Sequence, residues 1–262
     1  MKISIITVTF NAEKTIEDSL KTVLSQTYPN IEHIIIDGKS TDNTCEIIKK
    51  YQDKIAHFMS EKDTGIFNAM NKGIKLATGD ILFFLNANDY LFDENVISDV
   101  ISFFKKTGAN MVFGNMSFVN DNGIEQERRI YSDVDKLFWI NECVCHQGIF
   151  YKKKVFEICG EYNENYQLTS DYDMNLKVHI KHKMKVRYFN RVISRFTLGG
   201  QSNSHNNKQL QQKLIQEKNE ILNTYFNSVD FKMNKILNKT FRSIARNQHA
   251  RKVAGKIFGF NL

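Results

Sequence analysis

Five short apolar runs, spaced by stretches with helical periodicity, constrain this chain more than anything else in it. Lys2–Phe10, Ile31–Ile36, Ile55–Met59, Ile81–Leu85 and Met111–Gly114 are compact and mostly β-branched or aromatic. Between them Ile16, Leu20, Val23 and Leu24 recur at helical spacing, as do Ile66, Met70 and Ile74, and then Val96, Ile97, Val100, Ile101 and Phe104. Asn43 and Glu46 predict a capped helix running to about Gln52. Strand and helix in strict alternation predict a mostly parallel sheet covered by helices on both faces. In such a sheet ligands bind beyond the carboxyl ends of the strands. Polar residues gather at those ends: Asn11, Asp37, Asp63 and the cluster Asn86–Asp89.

Several function classes fall away. The chain has 262 residues, enough for one large domain or one domain with an appendage. A hydrophobic content of 42% with a single proline excludes a disordered or Pro-rich chain. No apolar run approaches the ~20 residues that cross a bilayer. The N-terminal run is interrupted by Ser4, Thr7 and Thr9, which suits a buried strand better than a signal peptide and predicts a cytoplasmic protein. No strand is followed by GxGxxG or a P-loop, which argues against a dinucleotide dehydrogenase or an NTPase. Cys143, Cys145 and His146 supply three candidate zinc ligands without a fourth, so free thiols are the simpler reading for the four cysteines.

The net charge of +7 is concentrated at one end. From Ser228 onward eight Lys and Arg stand against Asp230 alone, leaving residues 1–227 close to neutral. Met233, Ile236, Leu237, Phe241 and Ile244 lie on one helical stripe between these cations. Such a segment fits an amphipathic helix on an anionic membrane surface. The alternative is a helix packed back on the domain with a solvated basic face. Nucleic acid is not expected as a partner, because no binding module or aromatic stacking platform accompanies the charge.

Three segments carry the chemistry: Ile34-Ile35-Ile36-Asp37-Gly38, Asp63-Thr64-Gly65-Ile66-Phe67-Asn68-Ala69-Met70-Asn71-Lys72-Gly73, and Leu85-Asn86-Ala87-Asn88-Asp89. With His146-Gln147-Gly148, Ser170-Asp171-Tyr172-Asp173 and Gly199-Gly200-Gln201-Ser202, in this order, the chain resembles the inverting family 2 glycosyltransferases from about Ile3 to Ser202. The resemblance implies an α/β GT-A nucleotide-diphospho-sugar transferase fold over residues 1–207. Its nucleotide-binding half would span about 1–115 and its acceptor half about 116–207, with basic amphipathic helices over 208–262. It implies that Thr7, Thr9, Asn11 and Asp37 hold uracil and ribose, with Asp63 lining the same pocket. Asn68, Asn71 and Lys72 would lead to the donor phosphates. Asn86, Asn88 and Asp89 match the DxD region, where Mg2+ or Mn2+ would bridge the diphosphate, with Asn88 and Asp89 as metal ligands. Asp171 falls at the place of the general base, with Asp173 as its rival or structural partner. His146 and Gln147 would lie on the acceptor side, where Trp139 offers a sugar-stacking surface or a core packer.

The implied partners are a UDP-sugar and a glycan acceptor. The basic tail points to a lipid-diphosphate-linked sugar at the cytoplasmic face of the inner membrane, as in bacterial O-antigen, capsule or exopolysaccharide assembly. Chemistry asks for charge stabilisation on the leaving diphosphate and a carboxylate to deprotonate the attacking hydroxyl. In-line attack inverts the anomeric carbon. The chain departs from the family pattern where Asn86 and Asn88 replace carboxylates, leaving Asp89 as the only acid of that motif. It also has Asn68-Ala69 where many relatives have Asp-Ala, and Met70-Asn71-Lys72-Gly73 in place of Arg-Asn-x-Gly. A catalytically silent binding module is the alternative function.

Overall fold

The computed structural model describes residues 1–120, 124–131, 134–197 and 207–234. The first half alternates as its apolar runs require: β1 (Ile3–Thr9), α1 (Ile16–Leu24), β2 (Ile31–Asp37), α2 (Thr44–Lys49), β3 (His57–Ser60), α3 (Ile66–Leu76) and β4 (Ile81–Asn86). A two-residue strand β5 (Tyr90–Leu91) precedes α4 (Val96–Thr107) and β6 (Met111–Val119). The second half holds β7 (Glu125–Arg129), α5 (Phe138–Asn141), β8 (Ile149–Lys152), α6 (Lys154–Cys159), α7 (Ser170–Leu176), β9 (Val186–Thr197) and α8 (Lys208–Tyr225).

Among the described residues nine strands form one sheet in the order β3-β2-β1-β4-β8-β6-β9-β5, with β7 paired to the far part of β6. Strands β1 to β4 are mutually parallel where they pair. The direction reverses at β8, antiparallel to both β4 and β6, while β6 and β9 run parallel. Strands β1, β2 and β4 are buried on both faces, as their apolar runs demand, and β3 forms the partly exposed edge. Alternate residues serve opposite layers. Ile6, Val8, Ile34, Ile36 and Phe84 pack with α3, Trp139 and Tyr172. Ile5, Phe83 and Leu85 pack with Val96, Ile97, Val100 and Phe104 of α4.

Two local expectations are corrected. Helix α2 stops at Lys49 rather than near Gln52, and the Asn43 side chain makes no cap bond. Its amide is drawn instead to Glu13 Oε2, 3.0 Å away. Helix α8 is part of the domain and not an appendage, since Ile221, Leu222 and Phe226 are buried in the same cluster as Trp139 and Tyr172. Residues 228–234 are also helical, and Phe231 packs against that cluster. The tail stripe from Ile236 onward and the motif Gly199-Gly200-Gln201-Ser202 lie outside the described residues.

Candidate active site

The carboxyl ends of β1 and β2 lie side by side, with Thr9 opposite Asp37 in the parallel register. Asp37 is fully buried. Its Oδ2 accepts from Ser40 N (2.9 Å), Ser60 Oγ (2.6 Å) and Cys45 Sγ (3.2 Å), and its Oδ1 accepts from Ser40 Oγ. Burial pushes its carboxyl up, but the bonds from Ser40 and Ser60 outweigh it and hold the group below the usual range. The Asp63 carboxylate approaches so closely that a Cβ on Gly38 would stand 2.7 Å from Asp63 Oδ2. A larger residue there would displace the Asp63 carboxylate. Burial raises the Asp63 carboxyl, against a bond from Gly65 N and the charge of Lys72. Asn11 occupies the left-handed region (φ 49°), which asparagine tolerates, and its Oδ1 accepts from Thr41 N at 2.9 Å. Thr9 is buried at this edge with an unpartnered hydroxyl. Thr7 stands apart, fully buried within the sheet with its hydroxyl 2.9 Å from His33 Nε2.

Along α3 the three expected phosphate-side residues are already engaged. Asn71 is buried, donating to Tyr162 O (3.0 Å) and Glu164 Oε1 (2.9 Å) and accepting from Tyr162 N (3.0 Å). Asn68 donates to Glu164 Oε2 at 3.0 Å. These two amides fasten the loop around Glu164 to α3. Lys72 donates to Lys62 O and pairs with Glu61, both at 2.9 Å.

Behind β4 the structure gathers five expected residues. His146 Nδ1 lies 3.2 Å from Asp171 Oδ2, and its Nε2 lies 3.2 Å from Asn86 Oδ1. The backbone N of His146 also donates to Asp171 Oδ2 (3.2 Å), and Tyr172 N donates to Oδ1 (2.8 Å). The donor-side amide and the candidate base, distant in sequence, are thus joined through one imidazole. Gln147 Nε2 donates to Asp89 Oδ2 at 2.8 Å, and Thr197 N donates to Oδ1 at 3.1 Å.

A cation held by Asp89 does not fit this arrangement. The carboxylate is 1% exposed, both oxygens already accept, and burial pushes it up to about 6 despite the bonds from Gln147 and Thr197. A hard divalent ion needs several oxygen ligands, charged ones foremost. Among the described residues no three His, Cys, Asp or Glu side chains converge on such a point. Asn88, half-buried, contributes its backbone carbonyl to Thr197 Oγ1 (2.6 Å).

Two further expectations change. Gln147 is 1% exposed and ties Asp89 to the sheet, so it is not an acceptor-facing side chain. Trp139 is fully buried, donates to His179 Nδ1 at 2.7 Å, and accepts on its carbonyl from the Tyr172 hydroxyl, which leaves no face for a sugar. Asp173 is engaged on both oxygens, by Tyr225 OH (2.8 Å) and Lys177 Nζ (2.9 Å). Of the acid pair, Asp171 is the one linked to the donor motif, through His146 to Asn86. Two residues that no motif marks also belong here. Glu164 receives the α3 amides, and Phe10, 55% exposed, lies beside Gly38 at the end of β1. An exposed aromatic directly after a buried strand was the only available signal for the second.

Residues 4–160 match the family described as Glycosyl transferase family 2, and the chain belongs to that family of glycosyltransferases. A "PGL/p-HBAD biosynthesis glycosyltransferase" of Mycobacterium tuberculosis is 29% identical over 216 residues, 80% of this chain and 83% of that one. The Escherichia coli "UDP-Glc:alpha-D-GlcNAc-diphosphoundecaprenol beta-1,3-glucosyltransferase WfgD" is 34% identical over 123 residues, 47% and 48% of the two chains. The fold is that of the GT-A enzymes. S. aureus TarS 1-349 in complex with UDP-GlcNAc superposes with a TM-score of 0.65 at 18% identity, over 86% of this chain and 71% of that one. The present chain spans 37% of TarS as solved at greater length. The mannosyltransferase PcManGT from Pyrobaculum calidifontis, solved with GDP-Man and Mn2+, gives 0.61 at 14% identity over 96% and 82%.

Proposed function

We propose that the chain transfers a hexose from a UDP-sugar to a glycan acceptor carried on a lipid diphosphate, inverting the anomeric centre, with Asp171 as the general base. The observation that carries this reading is the line Asp171–His146–Asn86, with successive side-chain separations of 3.2 Å. A base that must act on the hydroxyl attacking the donor sugar has to adjoin the donor motif, and Asp171 does. Asp37 and Asp63 are assigned to the ribose and base, the exposed ring of Phe10 to one face of the uracil, and the unpartnered Thr9 hydroxyl to the same pocket. Lys72, which interacts electrostatically with Asp63, is the positive group assigned to the donor side. The acceptor hydroxyl passes its proton to Asp171 as it attacks, and UDP leaves from the opposite face. No step is routed through Mg2+ or Mn2+.

The donor nucleotide is supported by the UDP named in the WfgD reaction and by the UDP-GlcNAc bound to TarS. The diphosphoundecaprenol acceptor of WfgD supports the lipid-linked glycan, as in bacterial surface polysaccharide assembly. No described helix is long and apolar enough to cross a membrane. Contact with the cytoplasmic face is assigned instead to the cationic residues beyond 234. The test is UDP release from a panel of UDP-sugars, with and without a GlcNAc-diphospho-lipid, followed by assignment of the product linkage by NMR. Acceptor-stimulated release with a β product is expected from an α-linked donor. An α product, or release indifferent to every lipid-linked acceptor, overturns the reading. Flotation with anionic vesicles should be lost on removing residues after 234.

A further inference from the structure

Helix α8 brings a carboxylate into the interior beside the catalytic helix. Glu217 is 5% exposed. Its Oε1 accepts from Gln167 N (2.9 Å), and its Oε2 accepts from Leu168 N (3.0 Å) and Thr169 Oγ1 (2.9 Å). These are the three residues that lead directly into α7. Thr169 in turn accepts on its carbonyl from Asp173 N (3.0 Å), so the backbone held by Glu217 closes the first turn of the helix bearing Asp171. Two turns along α8, the Tyr225 hydroxyl donates to Asp173 Oδ1 (2.8 Å). On the same face, Lys213 Nζ donates to Gln167 Oε1. Burying a carboxylate is costly unless its charge is fully bonded, and packing alone favours an apolar residue of similar size. A buried acid that accepts from three consecutive residues of one loop is a device for fixing that loop.

We propose that Glu217 is a positioning residue: it fixes residues 167–169, and through them the placement of Asp171 against His146. Glu217 touches neither donor nor acceptor and acts only through α7. The inference rests on Asp171 being the base. Small displacements of a base from its proton are expensive in rate while leaving donor binding alone. The signature is therefore a loss confined to kcat.

The experiment measures UDP release by Glu217→Gln, which keeps the shape but replaces one acceptor by a donor, in the wild-type and Asp171→Asn backgrounds. A roughly tenfold fall in kcat, with the KM for UDP-sugar within twofold, is expected for the single variant. In the Asp171→Asn background the same substitution should change the residual rate by less than twofold, because the group it positions is gone. Thr169→Val, which removes one bond at the same point, should lower kcat about threefold and decides the matter where Glu217→Gln does not fold. An unchanged kcat in the single variants overturns the inference. So does a parallel loss of donor affinity, or an equal loss in both backgrounds, either of which marks Glu217 as a support of the fold alone. Asp171→Asn running at the wild-type rate would instead overturn the assignment of the base, and the inference with it.

Discussion

At the amino ends of β1, β2 and β4, Glu32 (4% exposed) accepts from Lys2 Nζ (2.6 Å), Ser4 Oγ (2.5 Å), Thr78 N (2.8 Å) and Thr78 Oγ1 (2.6 Å). At the carboxyl ends of the same sheet Asp89, more deeply enclosed, accepts from Gln147 and Thr197. Burial raises both carboxyls. Four donated bonds, one of them from the Lys2 ammonium, bring the less deeply enclosed Glu32 down to about 2, whereas the stronger desolvation of Asp89 holds it at about 6. Unpartnered buried atoms accompany the second end as well: Thr9 Oγ1, Gln147 Oε1 and Ser170 Oγ. The difference separates architecture from function. A carboxylate with four donors fastens strands, while an unpartnered hydroxyl such as that of Thr9 has an interaction in reserve for a ligand.

The largest effect that sharpens this contrast belongs to Asp171→Asn, which should cut kcat for transfer by about 10²–10⁴-fold while thermal unfolding stays near wild type. An active Asp171→Asn enzyme would remove the site from the carboxyl end. Glu32→Gln should do the opposite. Unfolding in urea should show a loss of about 3 kcal/mol from a partner missing in a buried bonded cluster, with kcat per folded molecule unchanged. A kcat loss there would break the contrast from the other side.

The pH dependence of stability sharpens it further. Asp89 is raised above its unfolded value near 4, so the folded state holds the extra proton. Its contribution is complete below roughly pH 4 and is lost as pH rises through about 6. Glu32, depressed to about 2, contributes stability above its unfolded value and loses it as pH falls toward 2. Asp89→Asn should therefore flatten the stability profile between roughly pH 4 and 6 and leave the acid limb in place. Urea titrations at half-unit intervals test this. The smallest effect is expected of Phe10→Ala: UDP affinity by calorimetry should weaken about fivefold, near 1 kcal/mol, the worth of a lost aromatic stack.

The parallel half was legible because β1, β2 and β4 are buried on both faces and therefore written as apolar runs, whereas the edge strand β3 is only partly buried. All five expected strands stand where those runs lie, although β6 extends to Val119 beyond the expected Gly114. The insertion of β8 between β4 and β6 was not legible, since a four-residue strand leaves no periodicity and its neighbours are distant in sequence. Residue types at strand ends announced the site's location. What each side chain does there depended on partners the motifs do not contain. Asn68 and Asn71 were read as phosphate-side amides because nothing marks Glu164 as their acceptor. Asp89 was read as a metal ligand because the pairing with Gln147 crosses 58 positions. For Trp139 the residue type allows either a stacking surface or a core packer, and only its full burial decides between them.

Helix α8 is translated after every strand of the sheet, yet its Glu217 and Tyr225 brace the helix that carries the acid pair. A ribosome that has delivered residues 1–197 has supplied all nine described strands without that brace. Under the proposal made for Glu217, the nascent enzyme stays slow until Tyr225 clears the exit tunnel, shortly before the cationic stretch follows it. Shortened versions made for crystallography should therefore keep the chain through residue 234.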